Sequence, residues 1–444
     1  MVFQKQKSTV QPIIHLLNEI VKNSNEKKVS IGVFCDLKKA FDCCSHRILL
    51  IKLAKLGVNN RELKWFENYL KNRQQFVNVN NENSDMRFIS KGVPQGSILG
   101  PLLFLIYIND LANCTNLFTL LFADDTTFLI SGKNISEVIE LLNIELKKIS
   151  YWFRTNELSL HPNKTQFIIF SKNDDNHNFD DINVVVNHNN DNQNNEDLIT
   201  KLSCVNINND TPAIKFLGVY LDPKLNFKYH IDMIHSKISR SLYAINTAKH
   251  LIDKTALKSL YNSLIHSHLN YCIPIWGSAA KSHLKKLELQ QKRAVRIISN
   301  SNYNAHTVPI FKLLNILPIT EQMKYSSLQI MYDYVNHRLP CSFDHTWIRN
   351  NQRAERALRN ARSFDIPYVR LQTFNNFPLS KFPSLWNEII ITNTNPNLLQ
   401  INNDIDIYIF TEIMTKKQFS KKLKQLLLNE LTLLCRRDNC AECN

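Results

Sequence analysis

Three aspartates carry the first chemical signal of the chain. Asp36 follows the strand-like run 29–34, and Asp124 and Asp125 stand side by side where two apolar runs meet within 116–130. Hard divalent cations need carboxylates on rigid supports, and neighbouring strands of one sheet could bring these three together. Carboxylates so gathered would suit a reaction in which two Mg²⁺ ions, roughly 4 Å apart, activate an attacking hydroxyl and neutralise a leaving pyrophosphate. An Asp-Asp pair by itself is also ordinary turn chemistry, because aspartate tolerates tight backbone angles, and a lone strand-end Asp is as ambiguous.

The elements that must hold these residues can be read from periodicity. Residues 46–56 and 61–70 follow helical periods, with Gly57 as the stop of the first, and 75–79 alternates as a strand. A Gly/Pro loop at 92–96 feeds an apolar helix, and the aspartate pair is predicted at the tip of a hairpin. A helix over 134–156 and strands at 165–170 and 214–221 complete a mixed unit, which argues for an α+β architecture. From 228 to 300 helical periods dominate, with Lys285, Lys286, Lys292, Arg293 and Arg296 clustered. A further helix is expected at 420–434. Between 172 and 210 the composition turns to Asn, Asp and His, which predicts a disordered Asn-rich insertion.

Composition agrees with a partner that is anionic. The 444 residues are 44% hydrophobic and 21% charged, with a formal net charge of +15; such a chain can bury more than one core and attract phosphate. Ten cysteines without paired spacing over most of the chain, and no charged-then-apolar leader, fit a reducing intracellular setting, nucleus or cytoplasm. No apolar run reaches the ~20 residues of a membrane span, so no membrane partner is expected. Cys435, Cys440 and Cys443, beside Arg436 and Arg437, form an incomplete zinc set.

Ordered combination sharpens the reading. Asp36-Leu37-Lys38-Lys39-Ala40-Phe41-Asp42, then Gly92-Val93-Pro94-Gln95-Gly96-Ser97-Ile98-Leu99-Gly100-Pro101, then Phe122-Ala123-Asp124-Asp125 closely resemble three core motifs of non-LTR (LINE-type, jockey-like) retrotransposon reverse transcriptases. The resemblance continues through Asn163-Lys164-Thr165, Phe216-Leu217-Gly218 and the segments 290–298, 314–319 and 383–387. It implies an RNA-directed DNA polymerase built as a right hand: a palm with an antiparallel sheet, fingers in part missing, a helical thumb and a mostly helical carboxyl-terminal extension. The expected divisions are 1–27 as a remnant of the fingers, 28–222 as palm and fingers, 223–300 as thumb and 301–444 as extension.

The same resemblance assigns roles. Asp36, Asp124 and Asp125 would hold Mg²⁺, with Mn²⁺ as the alternative, and Lys164 would stand near the departing pyrophosphate. Phe41 would lie beneath the sugar, where an aromatic ring clashes with a 2′-hydroxyl and rejects ribonucleotides; its bland reading is a core aromatic. Gly92, Pro94, Gln95 and Gly96 would meet the template or nucleotide, with an ordinary turn as the competing account. Phe216, Leu217 and Gly218 would form the hairpin called the primer grip, with a plain β-strand as the competing account. An RNA template, a DNA primer and deoxynucleoside triphosphates are the implied partners. Residues 3–9 resemble a segment that in the family lies inside the fingers, so the chain is read as cut short at its amino end. That reading keeps open a relic that binds nucleic acid without polymerising. A viral RNA-copying polymerase fits less well, because Phe41 suits deoxynucleotide selection.

Overall fold

Val29, Ile31, Val33 and Cys35 alternate with Ser30, Gly32 and Phe34 in a stretch too apolar for an edge, and in the computed structural model this stretch is the central strand of a five-stranded sheet. The structure describes residues 8–161, 163–171, 182–189, 197–206, 212–344, 346–348, 363–391 and 414–431. The chain divides into two compact units, Glu26–Leu217 with Met1–Ser8, and Gly218–Asn444 with Thr9–Asn25.

Helix α1 (Val10–Asn25) buries Ile13, Ile14, Leu16, Leu17, Ile20 and Val21 and belongs to the second unit. Residues 10–25 were expected with the fingers; their apolar face instead packs on helices of the second unit.

In the first unit, β1 (Val29–Cys35) leads to α2 (His46–Lys55) and α3 (Asn60–Leu70). The single strand expected at 75–79 is instead four two-residue strands: β2 (Gln74–Gln75), β3 (Asn78–Val79), β4 (Glu82–Asn83) and β5 (Arg87–Phe88), paired β2 with β5 and β3 with β4. Helix α4 (Leu99–Ile108), strands β6 (Phe118–Phe122) and β7 (Asp125–Gly132), helix α5 (Ile135–Thr155) and strand β8 (Gln166–Phe170) follow. The predicted hairpin is therefore present. Asn134 caps α5 by accepting from the Ser136 backbone N–H at 3.0 Å, the ordinary way to satisfy a free amide at a helix start.

The stretch 172–210 departs from its disordered reading. Among its described residues are β9 (Val185–Asn189) and β10 (Asp197–Lys201), which pair antiparallel, and β11 (Ser203–Cys204), which pairs in parallel with β8. The sheet runs β11-β8-β1-β7-β6 and is mixed, where an antiparallel sheet was expected. The physical reason is burial: Ile182, Val184, Val186, Leu202 and Cys204 enter the same apolar core as Ile31, Phe128 and Phe167. Asn206 adds a side-chain clamp, accepting from Ile169 N–H at 2.9 Å and donating to the Ile169 carbonyl at 3.0 Å.

The units meet in sequence inside a hairpin. The segment 214–221, strand-like by its apolar pattern and a hairpin by the resemblance, is β12 (Ile214–Phe216) and β13 (Val219–Leu221), with Leu217 and Gly218 between them at positive φ, 45° and 82°.

The second unit is helical: α6 (Lys228–Ala248), α7 (Lys254–Tyr261), α8 (Ser267–Asn270), α9 (Ile273–Trp276), α10 (Lys281–Ser299), α11 (Thr307–Leu313), α12 (Ile319–Val335), α13 (Pro378–Trp386) and α14 (Lys416–Glu430). Trp276, Trp347 and Trp386 fill its core. Helix α1 packs on α9 and α13, and α10 packs on α6, α7, α11 and α12, so contact runs on past residue 300. Buried Gln291 donates to the Tyr261 hydroxyl and the Leu317 carbonyl, both at 3.0 Å, and accepts from Ile319 N–H at 2.9 Å. A buried amide so satisfied fixes the register of its neighbours. Among the described residues no helix is long and apolar enough to cross a membrane. Cys435, Cys440, Cys443 and residues 1–7 lie outside the described residues.

Candidate active site

Strand register brings the carboxylates to one end of the sheet. Cys35 of β1 stands opposite Thr126 of β7 as the last pair of their ladder, so Asp36 and Asp125 are the residues that follow at that end of the two strands. Phe122 pairs with Asp125 across a two-residue turn, Ala123-Asp124, in which Ala123 has φ 54°. A non-glycine residue in the left-handed region is uncommon and marks a constrained turn.

The backbone around Asp36 is held from a second direction. Thr165 Oγ1 accepts from the Asp36 N–H at 3.3 Å and donates to the His161 carbonyl at 3.1 Å. His161 N–H donates to the Asp36 carbonyl, and Lys38 N–H to the Ser159 carbonyl, both at 2.8 Å. This clamp carries Lys164, whose Nζ lies 3.6 Å from Asp36 Oδ2, with both side chains open to solvent. Lys164, expected beside a departing pyrophosphate, thus stands next to the Asp36 carboxylate. Thr165, buried completely, was quoted in the sequence only as part of a motif; its positioning of Asp36 needed the fold to be seen.

Charge is crowded here. The Asp125 carboxyl is pushed above its ordinary value, first by desolvation and then by the negative charges of Asp124 and Asp36, against the pull of Lys215. Lys215 is a second cation that the sequence did not single out. Among the described residues no three His, Cys, Asp or Glu side chains close around a metal position by themselves. Mg²⁺ seldom asks for such a cage, since it binds through one or two carboxylates and completes its shell with water and substrate phosphate. Hard oxygen donors whose negative charges crowd one another fit that ion.

A second group of expected residues gathers around Phe41. Phe41 lies in a single 3₁₀ turn (Ala40–Asp42), half-buried, with its ring 4.5 Å from that of Phe104 on α4. The loop at Gly92 is tied to it: Gly92 N–H donates to the Cys44 carbonyl at 2.7 Å and Val93 N–H to the Phe41 carbonyl at 2.8 Å. His46 Nε2 lies 2.8 Å from the Gly92 carbonyl. Gly92 has φ 93°, and a Cβ there would stand 2.8 Å from the Asp42 carbonyl oxygen, so only glycine admits this approach. Gln95 Nε2 donates to Asp42 Oδ1 at 2.7 Å, a partner the motif did not reveal. Ser97 Oγ donates to the Pro94 carbonyl at 2.7 Å and accepts from Gly100 N–H at 2.9 Å, joining the loop to the start of α4. Gly96 is exposed with φ 80° and nothing near its missing side chain.

Of the three residues expected in the primer grip, Phe216 is buried with its ring 5.3 Å from Phe34 of β1, the strand that ends just before Asp36. Leu217 and Gly218 form the bend beyond it.

Known proteins resemble this chain over most of its length. Residues 1–221 match the reverse transcriptase (RNA-dependent DNA polymerase) family. The chain is 26% identical over 341 residues to the probable RNA-directed DNA polymerase from transposon BS of Drosophila melanogaster. It is 25% identical over 340 residues to the RNA-directed DNA polymerase from mobile element jockey, and 22% over 336 residues to its probable counterpart from transposon X-element, both of the same fly. These alignments cover 72%, 72% and 73% of this chain and 34% of each relative, so the chain spans about a third of the length of the curated relatives it matches. Through residues 1–221 the chain belongs to the reverse transcriptase family, with relatives among the polymerases of non-LTR transposons.

Proposed function

We propose that the chain is an RNA-directed DNA polymerase that adds deoxynucleotides to a DNA primer along an RNA template. The observation that carries this reading is the meeting of Asp36, Asp124 and Asp125 at one sheet end, with the Asp125 carboxyl shifted up first by burial and then by its charged neighbours. Asp36 and Asp124, with Asp125 beside them, would hold two Mg²⁺ ions, or Mn²⁺ in their place. Once bound, such ions lower the pKa of the primer 3′-hydroxyl and offset the charge of the leaving pyrophosphate.

The rest of the chemistry falls to side chains. Lys164, already within 3.6 Å of Asp36, is placed to neutralise pyrophosphate or give it a proton. Phe41, backed by Phe104, offers a ring too firmly seated to yield to a 2′-hydroxyl. Gly92, Pro94, Gln95 and Gly96 provide a surface for the nucleotide and template base, with Asp42 orienting Gln95. Phe216, Leu217 and Gly218 would steady the primer end. In this arrangement residues 28–222 supply palm and fingers, and 223–300 a thumb whose basic helices follow the duplex backbone. Residues 301–444 extend the second unit.

The test is single-nucleotide addition to a DNA primer annealed to RNA, in Mg²⁺ and after its removal by chelation, with Phe41→Ala beside the wild type. Addition that needs the metal, prefers deoxynucleotides, and accepts ribonucleotides more readily in Phe41→Ala supports the reading. Addition without divalent metal would overturn it.

A further inference from the structure

Helices α6 and α10 pack together and frame a cavity of about 520 Å³ in the second unit, within the ~300–1,000 Å³ of ordinary ligand sites. The fold alone does not require its lining. Arg293 and Arg296 are three apart on α10 and share a face, and Lys249 approaches from the end of α6. No carboxylate lines the cavity, and among the described residues neither Lys249 nor Arg293 has an ion-pair partner. Arg296 spends only its Nε, on the Ala305 carbonyl at 2.9 Å. Three cations are therefore turned toward a space with nothing to neutralise them.

Two tyrosines complete the lining. Tyr243 is 77% exposed and Tyr303 72% exposed, although burying a tyrosine ring against apolar neighbours is the usual outcome. Gln290, which lines the same cavity at 8% exposure, uses Nε2 toward His235 Nε2 at 3.0 Å and Ser239 Oγ at 3.2 Å. Its Oε1 is buried with no hydrogen-bond partner. Leaving a buried acceptor unpaired costs about 1–3 kcal/mol, so the wall of the cavity at Gln290 is not packed for the fold alone.

Cations for a phosphate and exposed rings for a planar base define one ligand class. We propose that this cavity, formed within the second unit, binds an unpaired nucleotide of a single-stranded nucleic acid. Paired duplex presents only its backbone to such a surface and cannot place a base against Tyr243 or Tyr303. The inference does not depend on polymerisation, since its probe is bound and not copied.

The experiment measures binding of the full chain to oligoriboadenylate and oligodeoxyadenylate of about ten nucleotides, a length near one stacking site, and to a blunt RNA–DNA duplex of the same length. The variants are Tyr243→Ala, Tyr303→Ala, their double, and Arg293→Gln, each checked by circular dichroism. Both tyrosines are exposed, so their loss leaves the core untouched. Each tyrosine variant should weaken single-strand binding about tenfold and change duplex binding less than about twofold. Arg293→Gln should lower the salt dependence of single-strand binding by about one counterion. Loss on only one oligonucleotide identifies the strand type that the cavity takes. Unchanged binding to both, or equal losses on single strand and duplex, overturns the proposal.

Discussion

Replacing Gly92 by alanine should cost far more than the same change at Gly96, although both residues have positive φ, 93° and 80°. An alanine in that region carries about 1–2 kcal/mol of steric cost, reduced by the ~0.4–1 kcal/mol that a less flexible unfolded chain returns. At Gly96 nothing lies within 4 Å of the added carbon, so the expected loss is about 1 kcal/mol or less. At Gly92 the carbon would stand 2.8, 2.9 and 3.0 Å from the O, Cα and C of Asp42. Those atoms are backbone and cannot rotate away. Relieving the overlap adds about 1–3 kcal/mol and stretches the bonds to Cys44 and Phe41, worth about 1 kcal/mol each. The two variants should therefore differ by roughly 2–4 kcal/mol in the stability of the first unit. Amide hydrogen exchange in β1 and β7 reads that unit directly, and nucleotide selection gives a second readout, because the Gly92 loop is bonded to Phe41. Equal destabilisation by the two alanines would refute the reasoning that Asp42 forbids a side chain at Gly92.

Other outcomes follow from burial and charge. Leu202→Ala, at a position 2% exposed in the core, should destabilise the first unit by about 2–5 kcal/mol; a change below about 0.5 kcal/mol would restore the view of 172–210 as a free insert. For Asp125, a folded-state pKa above the unfolded one means that the neutral carboxyl favours folding. That contribution is present below the unfolded value and is lost as pH rises through the folded one. Asp125→Asn should accordingly raise the melting temperature at neutral pH in the absence of divalent metal, with the gain fading at acid pH, and a pH-independent effect in thermal scans contradicts the charge argument. Burial lowers the His230 imidazole to about 4, against an unfolded value of 6.5, so its contribution is present above pH 6.5 and lost as pH falls through 4. The second unit should lose about 3 kcal/mol across that window, and His230→Gln should remove that part of the slope in acid-unfolding curves.

How far these features can be seen without coordinates depends on what kind of interaction makes them. The hairpin at Asp124 and Asp125 and the strand before Asp36 were legible, because apolar alternation and turn chemistry are written in neighbouring residues. So was the Gly92 loop, since its glycines and Pro94 punctuate the chain. The strands within 172–210 were not, because the Asn-rich surroundings hid the two-residue period of Ile182, Val184 and Val186. Helix α1 could be read as amphipathic, but amphipathicity does not say which core its apolar face joins. Thr165, Asp42 and Lys215 act on the candidate site through contacts 129, 53 and about 90 residues distant in sequence, and no local pattern announces such partners. Leu217 in a left-handed turn escaped for a related reason: only the strand pairing on both sides forces so unfavourable a backbone angle.

The central claim is that Asp36 and Asp124 serve chemistry and not the fold. Primer extension on an RNA template should be measured for the wild type, Asp36→Asn and Asp124→Asn, alongside filter binding of the same primer–template. Extension by the wild type alone, with all three proteins binding equally, is the predicted result. Extension by either variant at the wild-type rate would contradict the account.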